Sequence, residues 1–454
     1  MLLSIEPKSA TAEALKPLQS GDLIPLTTRY PHKDCRVCVV VPVRNEAEGI
    51  GATIRSFAQQ VDSEERSLNP SSYEVLILAN NCTDNSVAVG RAIAQLYPKL
   101  NLHIIDVCLP DAIAHVGTAR RLVMNEAYRR LSLIGIRDRI IASTDGDTEV
   151  SPRFVSSLIS EFDKGVDAVG GRILTRRKAD SGLTTEASLY FLRHLAYQHF
   201  VAQIEAFLDP QSHDCWPRHF QYYGANMSLL ASVYGQVGGL PPMRQEEDVA
   251  LHCLLQQADA KIRYSPDVQV TTSARQVGRA TGGLAELLER LTKSSSQKQS
   301  VLVEPPILTE ARILVREQLR QFWTAWNGSN TNGFIVRRYA QRADLLGRCL
   351  GFSAMQLCRE IETAPTFGKL LMSIELYQKQ QFESALPEVA NTEWANTEIS
   401  TANMHLRQLL QALRQQANEQ PVLDTRRFLD TRYLQSVLQA LKQVQTIPIF
   451  SPRS

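Results

Sequence analysis

Short runs of apolar residues, many of them β-branched, recur along the first third of the chain and end in polar clusters. Runs of this length and composition predict strands that are buried on both faces of a sheet. Helical periodicity between them predicts an open, mostly parallel α/β sheet with helices on both faces. Ligands bind such sheets at the carboxyl ends of the strands. The predicted strands are 37–41, 73–79, 102–106 and 140–143, with a helix over 118–131.

The later part of the chain carries a different pattern. Residues 150–285 continue the α/β domain less regularly, and a polar stretch over 294–300 is typical of a linker. Helical periodicity without strand signals follows it. We therefore predict an irregular N-terminal extension over 1–35, an α/β domain over 36–285, a linker over 286–300 and an all-helical domain over 301–454.

Composition narrows the classes of function. The chain has 454 residues, of which 44% are apolar and 21% charged, and a formal net charge of +2. This charge argues against a nucleic-acid partner, which would need a concentrated basic field. No run approaches the ~20 apolar residues of a spanning helix, so we predict no transmembrane segment and a cytoplasmic protein, with peripheral membrane docking left open. The eight cysteines lack a second pair at zinc spacing, which favours reduced thiols.

Two carboxylates separated by a glycine directly follow the fourth predicted strand. Asp145 and Asp147 flank Gly146 just after residues 140–143. Side chains at i and i+2 of an extended segment share a face, and the glycine lets the backbone turn and a ligand come close. Such oxygen ligands suit Mg²⁺ or Mn²⁺, whose shell is usually completed by substrate phosphates. The segment predicts a divalent-cation site, with a loop of two solvated acids as the alternative.

The order of the polar motifs resembles the family-two glycosyltransferases of GT-A fold, over about residues 36–285. Besides the D-x-D pair, the similar segments are VVVPVRNE at 39–46, ANNCTDNS at 79–86, HVGTARR at 115–121, GANMS at 224–228, GGL at 238–240 and EED at 246–248. The resemblance implies a GT-A-type, Rossmann-like sheet. It also implies a hexosyltransferase-type enzyme that moves a sugar from a nucleotide diphosphate sugar to an acceptor hydroxyl, with Mg²⁺ or Mn²⁺ as cofactor.

The resemblance also assigns roles to residues. Asp248 is implied as the general base for the acceptor hydroxyl, with Glu247 as its orienting neighbour; a carboxylate suits that task. The D-x-D pair Asp145 and Asp147 would hold the metal. A basic side chain at a helix N-terminus favours phosphate, so Arg120 is the candidate diphosphate contact. The donor-binding candidates are Pro42, Arg44, Glu46, Asn80, Asp84, Arg120, Asp145 and Arg279, and the acceptor-side candidates are Gly224, Asn226 and Gly239.

The sequence departs from the family pattern in two places. Ala79 and Asn80 stand where relatives commonly have two aspartates, the second of which often reads the nucleotide base. An amide donates as well as accepts, whereas a carboxylate only accepts, so a uridine donor is in question. Thr272 and Ser273 occupy the region where many relatives carry a histidine metal ligand, and we assign no third protein ligand.

Two other functions are weighed against the transferase. A sugar nucleotidyltransferase would be expected to carry a glycine-rich, lysine-containing loop after the first strand, and residues 42–46 are not such a loop. If the chain were a non-catalytic, nucleotide-sugar-binding partner protein, we would expect the D-x-D or the E-D pair to be lost, and both pairs are present. The sugar, the base, the acceptor and the stereochemistry stay open. Acceptor recognition, homodimerisation and membrane docking all fit the helical domain.

Overall fold

The computed structural model describes residues 16–176, 184–273, 289–293, 297, 300–327, 332–384, 397–419, 435 and 446–449. Arg279 lies outside these residues, as does most of 433–446, where the sequence pattern predicts a helix of the C-terminal domain. The chain divides into two compact units. The first takes the described residues within 1–179, 221–255 and 260–283, and the second those within 180–220, 256–259 and 284–454.

Strands and helices alternate through the first half of the chain. The strands are β1 Val37–Val43, β2 Tyr73–Asn80, β3 Leu102–Val107, β4 Ile140–Ser143, β5 Glu149–Val150, β6 Ala168–Arg176, β7 Met227–Leu230, β8 Ile262–Ser273, β9 Leu302–Val303 and β10 Thr397–Glu398. The helices are α1 Ile50–Ala58, α2 Ser86–Leu96, α3 Val116–Leu133, α4 Phe154–Asp163, α5 Thr185–Leu208, α6 Ala231–Gln236, α7 Glu247–Gln257, α8 Pro306–Asn327, α9 Asn332–Leu350, α10 Ala354–Thr363, α11 Phe367–Ser384 and α12 Ile399–Glu419.

The first unit is built on a sheet that has eight strands within the described residues, in the order β3-β2-β1-β4-β7-β6-β8-β5. β1 is parallel to β2 and β4, β2 is parallel to β3, and β6 is parallel to β8. β7 runs antiparallel to its neighbours β4 and β6, and β5 is antiparallel to β8. The sheet is mostly parallel, and the predicted α/β fold class is confirmed.

Helices cover both faces of the central strands. All residues of β1 and β2 are buried, as their apolar, β-branched composition predicts. Successive side chains point to opposite faces, so Val39 and Val41 share one face, where they join an apolar cluster with Ile54 and Phe57 of α1. Helix α3 contributes nothing to that cluster but packs against β1, β2 and β4. The opposite face is therefore covered by α3.

A buried ion pair fixes α3 to β2 and to the segment before β1. The guanidinium of Arg130 donates to both carboxylate oxygens of Glu74, at 2.9 and 2.6 Å. It also donates to the hydroxyl of Thr27 and the carbonyl of Arg29, each at 2.5 Å. Burial alone would raise the pKa of Glu74, but its bonds to Arg130 and His103 lower that pKa to about 2. The pair joins three parts of the chain in one buried polar contact.

The second unit is helical and has its own apolar core. Helix α5 contributes Tyr197, Ile204 and Leu208 to this core, together with residues of α8, α9, α10, α11 and α12. Residues 180–220, which the sequence assigned to the α/β domain, belong to this unit because the apolar face of α5 packs there. The exact domain boundaries stay a prediction. Within the described residues, no helix combines the length and the apolar character that crossing a membrane requires.

Candidate active site

The D-x-D pair lies just beyond β4, at the carboxyl end of the parallel strands. Gly146, between Asp145 and Asp147, has a packing role. A Cβ atom there would lie 2.9 Å from Cγ2 of Val43 and 3.1 Å from Cγ of Glu46. The sequence suggested that a glycine here lets a ligand approach. The structure shows that it lets the loop after β1 lie directly against the carboxylate motif.

Both carboxylates of the motif have neighbours that orient them. Oδ1 of Asp145 accepts a 2.8 Å hydrogen bond from Arg120, and the Asp145 side chain is 36% exposed. The hydroxyl of Thr272 donates to Oδ1 of Asp147 at 3.4 Å and accepts from the hydroxyl of Thr148 at 3.0 Å. Across the described part of the chain, no group of three or more His, Cys, Asp or Glu side chains is placed to hold a metal ion.

Arg120 stands at the centre of the cluster. It is buried in α3, and its guanidinium donates to Glu247 at 3.1 Å, to the Ser143 hydroxyl at 2.6 Å, to the Gly224 carbonyl at 3.0 Å and to Asp145 at 2.8 Å. Burial alone would lower the pKa of Arg120, but the charges of Asp145 and Glu247 raise it well above its usual value. This residue therefore links the D-x-D motif to the E-D motif. Its predicted contact with a diphosphate stays a prediction.

The E-D pair opens helix α7. Oδ2 of Asp248 accepts a 2.6 Å hydrogen bond from the backbone N–H of Gly224, and its Oδ1 accepts from the N–H of Val249 at 2.8 Å. Glu247 is buried, which raises its pKa; the charge of Arg120 opposes this rise and that of Asp248 adds to it. Asp248 is thus held against the loop that precedes β7, while Glu247 forms an ion pair with Arg120.

The loops after β1 and β2 brace each other. Asn45 adopts a left-handed conformation with φ of 58°. The carboxylate of Asp84 accepts hydrogen bonds from the N–H of Ala47 at 3.1 Å and from the hydroxyl of Ser86 at 2.5 Å. That same hydroxyl accepts from the N–H of Glu46 at 2.7 Å. Asp84 therefore has a structural role in holding the loop that carries Glu46, and the donor-binding roles of both residues remain predictions.

Two buried side-chain oxygens flank β1 without a hydrogen-bond partner in the described structure. They are Oδ1 of Asn80, at the end of β2, and the hydroxyl of Thr144, just after β4. Unpaired buried oxygens are rare in proteins, so the amide oxygen of Asn80 needs a donor from elsewhere, and the hydroxyl of Thr144 needs a donor or an acceptor. Pro42 lies buried within β1 between these strands, and Arg44 donates to the carbonyl of Ala114 at 2.7 Å.

The three acceptor-side candidates are not all brought together. Gly224 touches the site, since a Cβ there would lie 2.9 Å from Cζ of Arg120. Asn226 is fully buried and donates to one backbone carbonyl of β6 and one of β8, at 3.1 Å each, so it clamps those strands. Gly239 has φ of 81°, and a Cβ there would clash with Leu18, which explains the glycine without any acceptor. Their acceptor roles stay predictions.

The sequence did not single out a row of aromatic rings beside Asp248. Tyr222 stacks on His252 with ring centroids 3.9 Å apart and an interplanar angle of 14°. Tyr223 stacks on Tyr222 with centroids 5.5 Å apart. His252 in turn is hydrogen-bonded to the hydroxyl of Tyr264 at 2.8 Å. The signal available in the sequence was the tyrosine doublet directly before Gly224.

Comparison with known proteins finds a family model that matches part of the chain. Residues 38–220 match the model described as glycosyl transferase family 2. Residues 38–220 therefore form a glycosyltransferase family 2 domain. The protein is therefore a glycosyltransferase, and the matched range contains the D-x-D motif and Arg120.

Solved structures of other glycosyltransferases are similar to parts of the chain. Mannosyltransferase PcManGT from Pyrobaculum calidifontis, in complex with GDP-Man and Mn²⁺, is 15% identical and has a TM-score of 0.37, covering 93% of this chain and 88% of that one. TarS 1–349 from S. aureus, in complex with UDP, is 12% identical with a TM-score of 0.37, covering 76% and 92%. Glucosyl-3-phosphoglycerate synthase from Mycobacterium tuberculosis, with Mn²⁺, UDP and phosphoglyceric acid, is 18% identical with a TM-score of 0.32, covering 59% and 82%.

Proposed function

We propose that the protein transfers a sugar from a nucleoside-diphosphate sugar to an acceptor hydroxyl, with a divalent cation at Asp145 and Asp147. The observation that carries the proposal is the pair of salt bridges made by Arg120. Its guanidinium holds Asp145 at 2.8 Å and Glu247 at 3.1 Å, so the metal motif and the acceptor-activating motif belong to one cluster. A structural loop of two solvated acids would not need this buried arginine.

The donor set fits Mg²⁺ or Mn²⁺. Asp145 and Asp147 offer carboxylate oxygens, and the hydroxyl of Thr272 lies beside Asp147. These are hard oxygen ligands, which such cations prefer, and substrate phosphates usually complete the shell. When bound, the cation supplies positive charge that stabilises the leaving diphosphate. Arg120 keeps Asp145 in place for this role.

Asp248 removes the proton of the acceptor hydroxyl. Its two oxygens already accept backbone N–H bonds, from Gly224 and Val249, which fix the carboxylate in one orientation. Each oxygen retains a second lone pair that can receive the proton. Glu247 acts through Arg120, which it holds in position. The base and the metal site are thereby kept at a constant separation while bonds are broken and made.

The donor nucleotide binds at the carboxyl ends of β1 and β2. Asn80 supplies a buried amide oxygen that lacks a donor in the described structure, and an N–H of a nucleotide base is a donor of the required kind. Pro42, Arg44 and Glu46 contribute the loop after β1, and Asp84 braces it. Arg279 is proposed as a further diphosphate contact on its sequence position alone.

A nucleotide-sugar panel tests the donor and the metal together. Ligand that binds the folded state raises the apparent melting temperature, so UDP- and GDP-sugars are ranked by thermal shift with Mn²⁺. We expect one donor class to give a shift that EDTA removes and that Asp147→Ala lacks. Asp34→Ala, which changes a carboxylate that is 58% exposed, is the matched control and keeps the shift. Full turnover in EDTA would reject the metal-dependent reaction.

Asp248→Asn tests the base. It preserves the shape of the side chain and removes proton acceptance, so turnover falls by ~10²–10⁴ while nucleotide affinity stays near wild type. Glu246→Gln changes the exposed neighbouring carboxylate and serves as the control. Normal turnover by Asp248→Asn would show that the proton goes elsewhere and would favour a retaining mechanism.

A further inference from the structure

The row of rings beside Asp248 ends in a tyrosine that faces solvent. Tyr223 is 45% exposed, although its ring also stacks on the ring of Tyr222. Behind it lie Tyr222 and then His252, which is buried and hydrogen-bonded to Tyr264. The backbone is fixed as well, since the carbonyl of Tyr223 accepts a 2.9 Å bond from Asn226. The exposed ring is therefore rigidly mounted.

The row carries no positive charge. Burial lowers the pKa of His252 to about 3, so its imidazole is neutral near pH 7. Partial burial and the nearby charge of Asp248 both raise the pKa of Tyr223, so its phenol keeps its proton. A neutral ring next to a carboxylate does not attract a phosphate or another anion. It suits the apolar C–H face of an uncharged ligand whose rim carries hydroxyl groups.

The exposed ring lies next to the proposed base. Tyr223 directly precedes Gly224, whose N–H is hydrogen-bonded to Asp248 at 2.6 Å. His252 lies one helical turn after Asp248 in α7, so the same helix holds both the carboxylate and the inner end of the stack. A ligand resting on Tyr223 would lie near that carboxylate, whose charge also acts on the phenol of Tyr223.

We propose that Tyr223 is the platform on which the acceptor stacks, and that the acceptor is itself an uncharged sugar ring. The proposal rests on the proposed function, because it places the acceptor beside Asp248. Open-chain alcohols and anionic small acids lack the flat C–H face that such a ring selects. Tyr223 thus determines acceptor class, and Tyr222 and His252 are positioning residues behind it.

Saturation-transfer NMR on the full-length protein tests the platform without needing catalysis. The probes are the methyl pyranosides of glucose, mannose and galactose, with mannitol as the open-chain control, each in the presence of UDP or GDP and of Mg²⁺, which is diamagnetic. We expect the C–H protons of at least one pyranoside to receive saturation and those of mannitol to receive none. The proposal would be overturned if mannitol bound as strongly as the pyranosides do. It would also be overturned if the wild-type protein bound no pyranoside.

Variants locate the binding on Tyr223. Tyr223→Ala should weaken pyranoside binding about tenfold, as expected for loss of an aromatic contact, while Tyr223→Phe stays within about twofold of wild type. Tyr30→Ala removes a tyrosine that is 77% exposed elsewhere in the first unit and should change nothing. If Tyr223→Ala fails to fold, Tyr223→Leu keeps apolar bulk without a ring and must show the same loss. Unchanged binding in the folded variant overturns the proposal.

The same samples separate this proposal from the function on which it rests. The nucleotide gives its own saturation signal in each experiment. A pyranoside that binds through Tyr223 in a protein that binds no nucleoside diphosphate supports the platform and rejects the proposed donor. A nucleotide signal together with pyranosides that ignore Tyr223 rejects the platform and leaves the transfer reaction standing.

Discussion

The buried guanidinium of Arg120 donates to two carboxylates, a hydroxyl and a backbone carbonyl, of which only the Asp145 carboxylate is partly exposed. Removing one partner of a buried ion pair is costly because the other charge is left uncompensated. The planar guanidinium can satisfy acceptors in several directions at once, whereas the ammonium group of lysine acts as a single point charge. At this position arginine and lysine are therefore not equivalent.

Arg120→Lys should lower kcat by about 10²-fold, because small misplacements of catalytic groups have effects of this size. The melting temperature should fall as well, since Glu247 and Asp145 lose their shared partner. Arg121→Lys is the matched control: Arg121 follows Arg120 in the same turn of α3 and donates to the Leu240 carbonyl, a single acceptor that lysine can also reach. Equal losses in both variants would contradict the linking role of Arg120.

Asn80→Asp should change the preference between uridine and guanosine donors. The buried Oδ1 of Asn80 lacks a donor in the described structure, and a carboxylate at this position would only accept hydrogen bonds. The measurement is the ratio of donor affinities in wild type and variant, with Asn69→Asp on the exposed loop before β2 as the control. An unchanged ratio would show that Asn80 does not read the base.

At the scale of elements, the local pattern of apolar residues predicted the buried strands and the helix between them correctly. The predicted strand over 140–143 coincides with β4, and the helix predicted over 118–131 is α3, two residues longer at each end. The antiparallel pairing of β7 with β4 was not predicted, because the two strands are distant in sequence and local patterns do not show which strands pair. The motif residues were therefore identifiable from the sequence, but the bracing of Asp84 and the stack behind Tyr223 were not.

Glu74→Gln tests the ion pair that fastens α3 to β2. The pKa of Glu74 is about 2 in the folded protein and about 4.5 when unfolded, so its contribution is full above pH 4.5 and is lost as the pH falls toward 2. The difference between the two pKa values corresponds to about 3 kcal/mol of unfolding free energy. At pH 7 the variant should lose about 3–5 kcal/mol because Arg130 stays buried without its partner, as chemical denaturation would show.

The pH dependence provides the internal check for Glu74→Gln. The difference in unfolding free energy between wild type and variant should shrink between pH 4.5 and pH 2, where wild-type Glu74 takes up its proton. Asp163→Asn removes a surface partner of Arg36 that is 55% exposed, and it should cost less than about 1 kcal/mol. If the difference in unfolding free energy between wild type and Glu74→Gln did not change with pH, the proposed effect of Glu74 ionisation on stability would be rejected.

At the scale of the whole molecule, the second unit is assembled from separate stretches of chain. Its helix α5 comes before β7 and α7 of the first unit in sequence, yet it shares an apolar core with helices that begin at Pro306 or later. The sequence pattern could not reveal this packing. An apolar helix face shows that another element covers it, but it does not show which element. The C-terminal helices consequently stabilise a segment that precedes them by about 100 residues.

A chain that ends after residue 299 should therefore be unstable. It would expose Tyr197, Ile204 and Leu208, and burial of such side chains contributes ~1.5–3 kcal/mol each. That sum is comparable with the whole stability of a typical domain. We expect aggregation and strong binding of an apolar dye. In the full-length protein, Leu208→Ala should lose ~2–5 kcal/mol and Leu192→Ala, on the exposed side of α5, almost nothing. A soluble, cooperative truncated chain would contradict this.

The interleaving of the two units also sets an order of events on the ribosome. Helix α5 is complete at Leu208, whereas α8, which shares its apolar core, begins at Pro306 and α12 begins at Ile399. At ~5–20 residues per second, the apolar face of α5 waits for roughly 5–20 s before α8 even begins to emerge. During that interval the nascent chain presents an uncovered hydrophobic helix, so its yield in the cell should depend on chaperones that bind emerging chains.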